Sequence, residues 1–232
     1  MQPRPDTISR ANVLAGFLVV MSLVWAAPGC ADQNWNNQAV SEKPADTSFQ
    51  AGADRPPSAR TLHAMSKILS AQGRDKQCRY VLMRIIHDYP DYSPAYCDLA
   101  ELYMRSDDVA RAVGTLEVGL SVSPRDAVLI NDLGMCRLLQ GRYQDAMERF
   151  TEAAGISPHD ARYRANIAVA VGMMGRYEES LALFEQIVPE DQAHHNLAVV
   201  CEAIGDEERS KVEFEKADAI AAEALAAQQE CR

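Results

Sequence analysis

Residues 127–160 read AVLINDLGMCRLLQGRYQDAMERFTEAAGISPHD. Ile130, Leu133, Gly134 and Leu138 fall at three- and four-residue spacing, which lines one face of a 3.6-residue helical period. Gly141 then stops that helix, because glycine takes left-handed backbone angles at little steric cost. A second amphipathic helix follows on Tyr143, Ala146, Phe150 and Ala153 and ends at Ser157-Pro158. Each helix carries a small residue, Gly134 or Ala146, where the other must approach. Neither buries its apolar stripe alone.

The pattern recurs. Pro90, Pro124 and Pro158 are 34 residues apart. The bend glycines align as Gly73, Gly141, Gly175 and Gly205, with Asp107 in the remaining place. The small residue of the first helix reads Ser66, Ala100, Gly134, Ala168 and Ala198. In the second helix it reads Cys78, Ala112, Ala146, Ser180 and Ser210. The large residue four further on reads Leu82, Leu116, Phe150, Phe184 and Phe214. A helix-turn-helix period of this length resembles the tetratricopeptide-repeat (TPR) family. The resemblance covers residues 59–224, divided 59–92, 93–126, 127–160, 161–190 and 191–224. It implies an all-α, right-handed superhelical solenoid of five helix pairs, with residues 225–232 extending the last helix as a cap. Repeat four is short, so Val188-Pro189-Glu190-Asp191 is expected to turn more tightly than the Ser-Pro turns before it. The first helix of repeat one carries Arg60, His63 and Lys67, and its outer face is expected to be basic and polar, as a terminal repeat facing water requires.

The N-terminal residues follow another logic. Arg4 and Arg10 precede the apolar run ANVLAGFLVVMSLVW at 11–25, and small residues follow, which is the layout of an export signal over 1–29. Gly29-Cys30 just past the run resembles a bacterial lipoprotein signal, in which the cysteine carries the lipid; Cys30 is the lipid-attachment candidate. Ala27 and Pro28 depart from that family's pattern. The same residues fit a soluble exported protein or a retained anchor. Residues 30–58 are rich in Gln, Asn, Ser, Asp, Ala and Pro and carry too little apolar periodicity to fold, so a disordered tether is expected. Together these place the chain at the bacterial cell envelope, its body in the periplasm or outside.

The formal net charge of −10 disfavours nucleic acid, whose phosphates require a Lys/Arg field. None of the six cysteines forms a C-x-x-C pair, so a zinc site is not expected. His194 and His195 are adjacent on a helix, point apart, and read as hydrogen-bonding groups rather than joint ligands. Glu178-Glu179 and Glu207-Glu208 fall at helix starts, where the macrodipole accounts for them. No phosphate loop or nucleophile elbow occurs; neither an enzyme nor a cofactor is expected.

The family resemblance implies that the first helices line a concave groove holding an extended peptide or a partner helix. On this chain the corresponding positions are Asp98, Asn131, Asp132, Met135, Arg162, Asn166, Val169, His195 and Asn196. Asp98, Asp132, Asn166 and Asn196 occupy one equivalent row, similar to the amide ladders that hold a peptide backbone, an amide being both donor and acceptor. The same side chains also suit bonding within the solenoid. The acidic members point to a partner segment with basic residues, and Met135 and Val169 to apolar ones. The resulting expectation is a non-enzymatic adaptor for protein segments, resembling in architecture the envelope TPR lipoproteins of Tad/Flp pilus assembly. The alternative is a homo-oligomeric scaffold in which the Ala-rich C-terminal helix enters the next copy's groove.

Overall fold

The computed structural model describes residues 56–230. The proposed leader, Cys30 and nearly all of the tether lie outside the described residues. Among the described residues ten helices follow in sequence: α1 (Ala59–Ala71), α2 (Asp75–Asp88), α3 (Ser93–Arg105), α4 (Val109–Val122), α5 (Ala127–Leu139), α6 (Tyr143–Ile156), α7 (Ala161–Met173), α8 (Tyr177–Glu185), α9 (Glu190–Ile204) and α10 (Glu207–Glu230). They form five antiparallel pairs, α1/α2 to α9/α10, and each second helix also packs on the next pair's first helix. First helices touch one another directly, α3 on α5 and α7 on α9, so they form one layer of a TPR-like superhelix and the second helices the other.

Local chemistry sets the boundaries. Ser58, Asp108, Asp126, Asp160 and Asp206 each accept a hydrogen bond from a backbone N–H of the helix they precede, which satisfies donors left free in the first turn. The bends at Gly73, Gly141, Gly175 and Gly205 have φ between +68° and +82°, and Asp107 takes the same left-handed geometry at +60°. Repeat four turns early. Helix α8 stops at Glu185, the N–H groups of Ile187 and Val188 both bond the Phe184 carbonyl, and α9 begins at Glu190 behind Pro189. Helix α10 runs through the alanine-rich tail to Glu230 without a break.

Phe150, Phe184, Leu82 and Leu116 are completely or almost completely buried. A Cβ at Gly134 would stand 2.6 Å from Phe150 Cε1, so glycine is required for that approach. Cys78, Cys136 and Cys201 are buried packing residues, and burial pushes their thiols above the usual range. No helix among the described residues is long and apolar enough to cross a membrane.

Helix α1 corrects one expectation. His63 and Lys67 turn towards α3, where both bond Asp98. The face left open is apolar: Met65 is 50% and Ile68 60% exposed. The reason is positional. Thr61, Met65 and Ile68 stand 34 residues before Ala95, Leu99 and Leu102, which are buried against the preceding pair.

Candidate functional site

The inner layer carries a row of polar contacts that step from each first helix to the next. His63 Nε2 donates to Asp98 at 2.9 Å while Lys67 Nζ holds the other carboxylate oxygen at 2.8 Å. The Tyr92 hydroxyl then bonds the remaining nitrogen, His63 Nδ1, at 3.0 Å. One repeat on, the Cys97 thiol neighbours the Asp132 carboxyl. Another repeat on, Asn166 Nδ2 donates to Asn131 Oδ1 at 2.7 Å, and Asn131 donates to Asp132 at 3.2 Å. The pairs 63–98, 97–132 and 131–166 occupy equivalent positions in successive repeats, and the first and third are hydrogen-bonded. Ala165 stands where the next polar residue of the series 63, 97, 131 would fall, so the row stops before repeat five.

The electrostatics of this row are largely settled within it. Burial pushes the Asp132 carboxyl up to about 6, more than Cys97 and Asn131 pull it down. Burial, together with the neighbouring Asp132 charge, pushes the Cys97 thiol far up, so it stays protonated. Asp98 is neutralised by Lys67. Glu101 on α3 is exposed and lies 3.8 Å from Arg105. The acidity expected here is thus mostly compensated, and the charge argument for a basic partner is weaker than the sequence implies.

The candidate residues divide by exposure. Arg162 is exposed and grips Asp160 through Nε and Nη2 at 3.0 and 2.6 Å. Asp98, Asn131, Asp132, Asn166 and His195 are partly exposed. His195 is stacked edge-on against Phe214 with ring centroids 5.1 Å apart. Met135 at 5% and Val169 at 6% exposure are part of the core between first helices, and Asn196 is also buried. Helices α5 and α7 are each buried along most of their length, so a groove position and a helix–helix position sit only one residue apart.

A polar cluster in the last repeat has no counterpart among the sequence-derived candidates. Glu213 on α10 is 1% exposed and accepts from His194 Nδ1 at 2.6 Å and from Lys216 Nζ at 3.0 Å. Burial alone would raise its carboxyl; the bonds from His194 and Lys216, with the Lys216 charge, outweigh that and hold it below the usual carboxylate range. The signal was present: Ser210, Glu213 and Ala217 share the buried stripe of that helix. Among the described residues no His/Cys/Asp/Glu group is arranged to hold a metal ion.

Stacked helix pairs with a polar row along the first helices define a helical-repeat protein. Residues 137–204 match one tetratricopeptide-repeat family model and residues 191–223 another, so this part of the chain is similar to tetratricopeptide repeats. Human protein O-mannosyl-transferase TMTC1 is 24% identical over 152 residues, covering 62% of this chain and 17% of that protein. The chain spans under a fifth of the length of the curated relatives it matches. Among solved structures, MamA superposes with a TM-score of 0.53 at 14% identity, over 70% of this chain and 97% of that one. YrrB, described as a TPR protein with an unusual peptide-binding site, superposes with 0.52 at 17% identity, over 74% and 92%. At these identities the likeness is one of fold.

Proposed function

We propose that this chain is a non-enzymatic adaptor that binds a protein segment along its inner layer and acts at the bacterial cell envelope. The observation that carries the binding half is the polar row along the first helices, hydrogen-bonded between repeats at 63–98 and 131–166. Inter-repeat bonds hold these groups in place before any partner arrives, so binding need not pay to order them. Partly exposed Asn131 and Asn166 present amide groups to a peptide backbone, and Arg162, Glu101 and Lys67 supply charge at the rim. The peptide-binding description of YrrB, a protein of the same fold, agrees with this use of the surface.

The envelope half rests on the sequence: the apolar run at 11–25, Gly29-Cys30 and the polar tether after it. A lipid on Cys30 would hold the solenoid at a membrane by a leash. Assembly of a pilus or secretion machine is the process that this architecture fits. Intact mass of the mature protein from a membrane fraction tests the point. A diacylglyceryl-scale increase, absent from Cys30→Ala, is expected. A mass that begins after the leader without lipid would replace the tether with a soluble exported binder.

A further inference from the structure

We propose that copies of this chain stack head to tail, the first helix of one copy seating on the last repeat of the next. This contact is separate from the inner layer. The solenoid leaves two places unfilled among the described residues. No helix packs on the Thr61–Met65–Ile68 face of α1, and no first helix follows α10. These places are complementary by construction, because every internal boundary joins the same two kinds of surface.

The internal boundaries show which residues would meet. Cys136 Sγ on α5 lies 3.6 Å from Met104 Sδ on α3. The equivalent pair one boundary on from α5/α7 is Val200 and Gly172, where a Cβ on the glycine would meet Val200 Cγ1 at 2.8 Å. Carried across the gap between copies, these positions become Ile68 of one copy and Glu202 of the next. A second internal contact, Gly119 against Leu129 at 3.1 Å from the glycine's built Cβ, carries over to Ala217 and Thr61.

Composition agrees with that placement. Helix α1 has no carboxylate, and with Lys67 turned to Asp98 its remaining cation is the exposed Arg60. The opposite end exposes Glu202, Glu215 and Asp218; Lys211 there is 3.9 Å from Glu215. Leu225 stands exposed on α10, and Phe214 is half-buried, so each end offers apolar surface beside charge of opposite sign. Terminal repeats that meet only water carry a polar outer face, and α1 does not. The contact joins two different patches, so it propagates a linear chain rather than closing a symmetric dimer.

The test uses full-length protein in detergent with Ile68→Cys and Glu202→Cys made separately, and the unmodified chain as the background for native cysteines. A short bismaleimide should give a mixed dimer only when the two variants are combined. The double variant should give a ladder of multimers. Met65→Asp in the Ile68→Cys chain should abolish the mixed product while helical circular dichroism is unchanged. Dimers of Ile68→Cys alone would overturn the proposal, because that face would then pair with itself. Absence of any crosslink would overturn it too. In that case maleimide protection of Cys at 68 would mean that the chain's own N-terminal residues cover α1, and free labelling that nothing does.

Discussion

At Asp132 a carboxyl with a raised pKa faces a thiol and an amide, and the folded state retains its proton up to about pH 6. The unfolded chain loses that proton near its ordinary value of 3.8. Between these values the native state binds more protons than the unfolded one, so this group's contribution to stability falls as pH rises. Asp132→Asn, which keeps the neutral form's shape, is expected to gain stability over the parent progressively from pH ~4 to ~7, read by denaturant melts. A gain that is flat with pH would contradict the assignment. Gly134 gives a second residue-scale prediction. Gly134→Ala forces a methyl into Phe150, which is fully buried and has nowhere to move. A loss of about 1–3 kcal/mol is expected. Gly114→Ala, whose new Cβ meets nothing within 4 Å on exposed α4, should instead gain about 0.5–1 kcal/mol. Thermal melts of the pair separate the two cases. Gly134 was legible in the sequence as the small member of a helix pair. Met135, one residue on, was not, because a rotation of about 100° per residue separates groove from core and an all-round apolar helix does not show which is which.

Helix α10 holds its first half by a charge cluster rather than by apolar area alone. Removing the Glu213 side chain leaves the buried His194 without its carboxylate partner and the half-exposed Lys216 without its ion pair. Glu213→Ala is expected to cost about 3–5 kcal/mol by chemical denaturation. Because the Glu213 carboxyl is held low, its stabilisation is present above the unfolded value of 4.5 and is lost as pH falls below it. That slope is opposite to the Asp132 slope. The sequence predicted the length of α10 from its alanines and the acidic starts of α8 and α10 from the macrodipole, and both are present. The pairing of Glu213 with His194 crosses between helices, so no single-helix pattern contains it.

Across the whole molecule, period and punctuation carried the fold: five helix pairs follow from the glycine, proline and small-residue series alone. Asp107 shows the limit of that reading, since a left-handed bend was kept where the glycine was lost. The inner surface was legible only in part. The row of Asp98, Asp132 and Asn166 could be aligned from the sequence, but Asp98 and Asn166 each bond a residue 35 positions earlier, one beyond the repeat. That offset comes from the stagger of neighbouring first helices, which only three dimensions supply. It also means that the row is occupied within the solenoid, and that a ligand must add to these bonds or displace them. Asp98→Ala should therefore lower stability as well as binding, whereas Arg162→Glu, exposed at the rim, should affect binding while melting changes little.

The most direct measurement is a peptide-library selection on the parent solenoid, followed by anisotropy titration of the selected peptides against Arg162→Glu and a convex-face control, Tyr80→Glu. The account predicts that peptides are recovered and that Arg162→Glu weakens them by about tenfold, roughly 1.4 kcal/mol, with the control unchanged. Peptides that bind both variants as they bind the parent would contradict a binding site on the inner layer.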